Sequence, residues 1–409
     1  MKKISLTSAF AAGLLVFSLV SCNDAENSVI ENRVYIAEAD AAAAQDLALN
    51  DGGASVSLFA RLAKPIGNDV TVKIGLNDKH LTEYNGRNQT EYESVPATYV
   101  SYPSSVTIPA GSISAEIRVD VNNFQPESGV DYAIPICLTE SQGLDLTGNS
   151  SNLILTLSSP LIQKAPAFYY SNSLLLEPAN SEWGVELSSF TLEWMSRVTN
   201  PGNNGGYSVN NQAIFSAISS SSGEAGSDEL YIRFGDLVYS RRGGSGYLYN
   251  FLQVKAMGSQ FDTGDPNDYP LQWGQWYHFA ITFNGADGVM YLYQDGQQVG
   301  KLETGRTTPY ILDGMNMFSS GMTYFRDYVE MAQLRMWKTV RTQGQIEKFM
   351  HKEVKYNDPN LVFYIPMSEG DDNATVLKDV TGNGHDMSIG NNGSRKTAMK
   401  WTEYNFTEL

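Results

Sequence analysis

A strict two-residue alternation runs through the first third of this chain and limits its fold more than any other feature. Val56, Leu58, Ala60 and Leu62 alternate with Ser55, Ser57, Phe59 and Arg61. Val70, Val72, Ile74 and Leu76 repeat the pattern, as do Ala115, Ile117, Val119 and Val121. Successive side chains of a strand point to opposite faces, so each apolar set lines one buried face. Pro135 lies inside the similar run Tyr132–Leu138. It brings no ladder donor and predicts an edge strand there. Cys137, in the same apolar run, reads as a buried core residue.

Roughly seven such short strands between Val34 and Leu157 predict an immunoglobulin-like β-sandwich over residues 34–158. Ser158-Ser159-Pro160, with Pro166 shortly after, predicts a linker over 159–166. A second all-β unit is expected over 167–409. Its runs include Ser189–Val198, Met331–Trp337 and Leu361–Met367, with glycine- and serine-rich loops from Pro201 to Gly226. Ala332, Leu334 and Met336 are expected on one face. Residues 273–300, WGQWYHFAITFNGADGVMYLYQDGQQVG, hold two aromatic and β-branched runs closed by the Asp295-Gly296 turn signal. Thr342-x-x-Gln345 is a capping box that opens one short helix.

The N-terminus predicts export. Lys2 and Lys3 precede an apolar run from Ala9 to Val20, the pattern of a signal peptide over residues 1–21. That run is too short to span a bilayer comfortably. Leu19-Val20-Ser21-Cys22 resembles the bacterial lipobox, which implies an acylated Cys22 and a lipidated tether over 22–33. Asp24 and Glu26 resemble the export signal of Bacteroides-type surface lipoproteins. The expected location is the outer membrane, lipid-anchored and exposed at the cell surface, with a periplasm-facing anchor as the alternative. The formal net charge is −17 and no basic run occurs, which argues against nucleic acid or anionic lipid as a partner. With Cys22 acylated, Cys137 is the only other cysteine, so no intrachain disulfide is expected. The four histidines show no zinc-like spacing.

Two resemblances sharpen this outline. LTEYNGRNQTEYESVPATYVSYPSSVTIPAGSISAEIRVDV, followed by DYAIPICLT, resembles the family known as domain of unknown function 1735. That resemblance implies a spacer or platform just behind a lipid anchor, with no activity of its own. In the second half the pieces stand in a telling order. They are Trp276-Tyr-His278-Phe-Ala280, Leu292-Tyr-Gln-Asp295-Gly296, Ala332-Gln-Leu-Arg335-Met-Trp337 and Asp379-Val-Thr-Gly-Asn-Gly-His385. They resemble the laminin-G-like members of the concanavalin A-like lectin/glucanase superfamily. Glu330-Met331 replaces the family's usual glycine. The resemblance implies a β-sandwich jelly roll in which Trp276, His278 and the Asp295-Gly296 turn are mainly structural.

A glycosidase of this superfamily carries paired acids on one strand face, as Glu-x-Asp-x-Glu. No such motif occurs from Pro160 onward, and Glu186 and Glu193 stand too far apart to form it. Sugar binding needs aromatic platforms and directed polar groups on loops. The segment Tyr239–Trp273 meets that need. Tyr239, Tyr247, Tyr249, Tyr269 and Trp273 are interleaved with Arg241, Arg242, Asp262, Asp265 and Asp268. Ordinary amphipathic strand tyrosines and a solvated acidic turn are the bland alternative for each residue. The spacing Asp262-x-x-Asp265-x-x-Asp268 also admits calcium, although it is not that of an EF-hand. The expectation is a non-catalytic glycan-binding lipoprotein of a polysaccharide-utilisation system, with host N-glycans among its candidate ligands. The resemblance implies an outer-membrane glycan transporter and a partner glycosidase beside it. The alternatives are an adhesion protein binding a protein partner, and a glycoside hydrolase with an unrecognised site.

Overall fold

The computed structural model describes residues 31–169, 176–178, 183–200, 205–219, 229–370, 374–389 and 399–408. The signal segment and Cys22 lie outside them. The described residues form two β-sandwiches in series, so the all-β class read from the alternation holds.

In the first sandwich one sheet runs in the order Val34–Ile36, Ala54–Leu62, Ser114–Val121, Val100–Ser101. The other runs Ala44–Ala48, Asn152–Ser158, Tyr132–Ser141, Val70–Leu76, Ser105–Ile108. Leu58, Ala60 and Leu62 face Val70, Val72 and Ile74 across one core, with Ile117, Val119 and Val121 beside them. The alternating sets are therefore the buried faces. Pro135, however, sits in an interior strand. It pairs with Ile154 on one side, and on the other its carbonyl accepts from the Asn77 N–H at 2.8 Å. At that point the neighbouring strand changes from Glu93–Ser94 to Val70–Leu76, so the missing proline donor faces a break in the ladder. A helix over Asp78–Asn88 covers the outer face there. It is capped by Asn77 and packs Leu81 on Ala133 and Ile154. Cys137 is buried, as expected.

In the second sandwich the larger sheet runs Gln297–Glu303, Val289–Gln294, Trp276–Asn284, Ser189–Thr199, Tyr328–Trp337, Ile162–Phe168, Lys400–Asn405. Leu361–Ile365 also pairs with Tyr328–Trp337. The opposing sheet runs Ser259–Asp262, Leu252–Ala256, Leu230–Phe234, Gln212–Ile218, Gly314–Asn316. Phe190, Leu192, Trp194, Phe279 and Ile281 of the first sheet pack on Ile232, Phe234, Leu252 and Val254 of the second. The residues expected to form a linker over 159–166 mostly do not. Strand Ile162–Phe168 pairs with Lys400–Asn405 and belongs to this sandwich.

One strand breaks its own alternation. Gln333 takes a left-handed φ of 56°, and the pairing with Ser189–Thr199 slips between Glu193 and Met195. This β-bulge turns Ala332 to the outer face while Leu334 and Met336 stay in the core. The expected shared face of those three residues is thereby corrected. The Asp295-Gly296 turn has φ of 49° and 76°, the signature of a type I′ hairpin. The helix predicted by the capping box spans Gln343–Phe349, and both reciprocal bonds between Thr342 and Gln345 are present.

Candidate functional site

Strand registers gather the loop segments 205–211, 235–251, 263–275 and 317–327 at one end of the second sandwich. Arg197 pairs with Trp276, Thr199 with Tyr328, Gln212 with Phe234 and Gln253 with Asp262. Two of these loops carry nine of the ten residues that the sequence singled out, and the tenth, Asp262, ends the strand that leads into the second. A hairpin is held by Leu248 N–H to Tyr239 O at 2.9 Å and by Arg241 N–H to Gly246 O at 3.0 Å. It lies against a turn in which the Asp268 and Tyr269 N–H groups donate to Asp265 O at 2.9 and 2.8 Å.

Charged pairs pin hairpin to turn. The Arg242 guanidinium binds Asp268 through two bonds of 2.7 and 2.6 Å and reaches Asp265 at 3.3 Å. The Tyr239 hydroxyl donates to the Asp262 carboxylate at 3.0 Å, and its ring meets Phe251 edge-on. Burial, with Asp262 close by, pushes the Tyr239 phenol up to about 12, so it remains a neutral donor. Hydrogen bonds from Asn267 hold Asp265 below its ordinary value, and Arg242 does the same for Asp268.

This geometry divides the ten residues. Asp262, Asp265 and Asp268 are spent on Tyr239, Asn267 and Arg242. Among the described residues no group of three or more acidic, histidine or cysteine side chains is arranged to hold a metal. Tyr249 is half-buried and packs against the main core. Tyr247, Tyr269 and Trp273 are different: they are 42%, 72% and 54% exposed, far more than rings placed for packing. Trp273 is nonetheless fixed at its base. A Cβ at Gly206 would fall 2.9 Å from the Trp273 Cβ, and the next residue, Gly274, bonds Val198 O at 2.8 Å. Arg241 is exposed and is not among the ion pairs that pin the hairpin.

Three polar clusters escaped the sequence reading. Fully buried Asp327 accepts from Asn200 Nδ2, Ser208 N, Ser208 Oγ and Gln212 Nε2 at 2.7–2.8 Å, tying the loops at this end together. Arg233 bridges Gln253, Asn211 and Asp236 on the outer face of the smaller sheet. Under helix Gln343–Phe349, sealed Glu193 faces Arg335, Arg341 and His278. Their partners lie too far apart in sequence to form a motif. The Asp379–His385 motif proves structural. Asp379 Oδ1 accepts from Tyr364 N, Thr381 N and Thr381 Oγ1, while Asn383 Nδ2 donates to Leu361 and Val362 carbonyls. Trp276 packs on Tyr404 and Phe406 outside the larger sheet, whereas Trp194 is buried between the sheets.

A two-layer jelly roll with a rim of braced loops defines a concanavalin A-like domain, here carried behind an immunoglobulin-like one. Comparison agrees on the concanavalin A-like domain and marks the first sandwich as a separate N-terminal domain. A family model for the concanavalin A-like lectin/glucanases superfamily matches residues 185–347, and one for an N-terminal domain matches residues 30–145. The chain combines an N-terminal domain of the unknown-function 1735 type with a laminin-G-type concanavalin A-like domain. A candidate carbohydrate-binding protein from Bacteroides ovatus shares the fold with a TM-score of 0.64 and 20% identity, over 90% of this chain and 97% of its own. A multidomain Bacteroides ovatus protein including the 1735 domain matches at 10% identity over 76% of this chain and 94% of its own, with a TM-score of 0.27. Bacteroides thetaiotamicron EndoBT-3987, solved with a Man5GlcNAc product, matches at 17% identity over 31% of this chain and 30% of its own, with a TM-score of 0.28. Among curated proteins, none matches.

Proposed function

We propose that this rim binds glycans and that the chain is a capture protein without catalytic machinery. The observation that carries the proposal is the exposure of Tyr247, Tyr269 and Trp273 on loops held rigid from below. A pyranose presents a flat C–H face to such rings and hydroxyls to the polar groups around them. The likeness to a candidate carbohydrate-binding protein supports the same reading. Hydrolysis would need two carboxylates flanking one bond. Glu193 is sealed beneath a helix and Glu186 is exposed elsewhere.

In this proposal Cys22 carries the lipid that tethers the protein to the outer membrane with its rim outward, where it serves a transporter and a glycosidase. A glycan array probed with the Cys22→Ala protein tests the binding. Selective hits lost on Trp273→Ala support it. Binding only to protein ligands that survives deglycosylation would move the assignment to adhesion. Retention of Cys22→Ala in salt-washed membranes would remove the anchor.

A further inference from the structure

The two sandwiches meet backbone to backbone. Gly129, at a φ of +72°, lies so close to the second sandwich that a Cβ there would fall 2.0 Å from Lys355 N and 2.1 Å from Val354 C. Beside it, half-buried Asp131 takes Lys348, in the last turn of helix Gln343–Phe349, at 3.1 Å and Lys352, just beyond that helix, at 3.2 Å. Glu93 takes Lys355 at 3.1 Å. The covalent connection is short, because strand Asn152–Ser158 closes the first sandwich and Ile162–Phe168 opens the second. A three-residue connection leaves little freedom.

Strand registers say what this joint separates. In the first sandwich Leu49 N–H bonds Ser158 O, so the Ala54 end of strand Ala54–Leu62 lies by the joint. Val34 pairs with Leu62 at the opposite end, about 27 Å along the strand at the usual rise. In the second sandwich Ile162 pairs with Asn405 at the joint, and Phe168 pairs with Val329 at the rim end. That strand covers about 20 Å.

We propose that the first sandwich is a stiff riser: the contact of Gly129 and Asp131 with residues 348–355 fixes both sandwiches as one body and turns the rim away from the chain's N-terminal end. A ligand held at the rim is therefore displayed outward from whatever the N-terminus is attached to. Only this display function rests on the glycan reading; the joint itself does not.

Pulsed dipolar spectroscopy on the full chain, with Cys22 and Cys137 replaced by Ser, tests the joint. One spin label goes at Asp145→Cys, whose carbonyl bonds Val34 N–H at 3.0 Å, and the other at Ser245→Cys in the rim hairpin. No glycan is added. A single narrow distance distribution is expected. Asp131→Lys sets a third cation against Lys348 and Lys352 and should broaden it several-fold. Adding Lys348→Glu and Lys352→Glu should restore the narrow distribution, which separates a loosened joint from a misfolded sandwich. A broad distribution in the parent overturns the proposal, as does one that stays narrow in Asp131→Lys. Because the measurement contains no sugar, failed array binding would defeat the glycan reading and leave the joint standing.

Discussion

The Glu193 carboxylate lies 2.7 and 3.0 Å from two nitrogens of the Arg335 guanidinium, and neither residue is exposed to solvent. Arg335 also donates to Phe349 O at 2.8 Å and Lys352 O at 3.0 Å, closing the end of the short helix. Arg341 reaches the other carboxylate oxygen at 3.2 Å and lies over the Trp337 ring. Glu193→Gln keeps the shape and strands two buried cations. A loss of about 3–5 kcal/mol is expected, seen as a lower denaturant midpoint with an unchanged slope.

The same cluster sets a pH dependence. Burial alone would raise the Glu193 pKa, but Arg335, with His278 and Arg341, outweighs it and holds the group far below the carboxylate range. Burial lowers the His278 pKa; its Nε2 is 3.5 Å from Glu193, too long for a strong bond. Both groups bind protons more readily when unfolded, so stability should rise with pH. The histidine contribution is full above about pH 6.5 and declines below it, and the carboxylate contribution declines below about pH 4. Melting temperatures between pH 7 and pH 5 should fall in the parent and fall less in His278→Gln. Equal slopes would exclude His278 as the source.

The hairpin turn behind this cluster is constrained from outside. A Cβ on Gly296 would lie 2.5 Å from Glu347 Cγ, and its φ is +76°. Glu347 can yield, but the backbone angle cannot. Gly296→Val should therefore cost more than the ordinary glycine substitution of about 1 kcal/mol. Adding Glu347→Ala should recover only the steric part, as a thermal melt of the pair would show.

Local features were legible in the sequence; features that depend on distant partners were not. The alternating sets and the Thr342 capping box each depend on neighbours within a few residues, and they appear where expected. Gln333 gave no sign of its bulge, because the slip is imposed by pairing with Glu193 and Met195 far away in sequence. Pro135 was misread because an interior strand here changes neighbours beside it. At the rim, density of aromatic and acidic residues marked loops that the fold brings together at one end of the second sandwich. It could not separate Trp273, left in solvent, from Tyr249, half-buried against the core.

Arg241 and Arg242 are adjacent yet differ in role. Arg242 holds the hairpin to the turn through Asp268 and Asp265. Arg242→Gln should speed hydrogen exchange at Asp265–Tyr269, while Arg241→Gln should leave it unchanged. Arg242→Lys cannot reproduce the two-pronged bond and should resemble Arg242→Gln. Equal protection in all three would show that the pairs do not brace the loop.

The exposed rings carry the final prediction. A shallow rim buries little area and loses association entropy, so single-site affinity should fall on the order of micromolar to millimolar. Many copies on one surface would offset this through avidity. Trp273→Ala and Tyr269→Ala should each cost about 1–3 kcal/mol, the value of covering one large apolar side chain. That is roughly a fivefold to hundredfold loss in affinity. Neither change should lower the melting temperature appreciably, since both rings stand mostly in solvent. Tyr239→Phe is the contrasting control: it removes the bond to Asp262 and should loosen the hairpin before it affects sugar contact. Its stability deficit should persist at neutral pH and shrink above about pH 10, because a phenol whose folded pKa is raised loses its contribution as pH rises through that value. Titration of these variants against the strongest array ligand separates the roles. Parent-like affinity in both Trp273→Ala and Tyr269→Ala would take the binding site away from this rim.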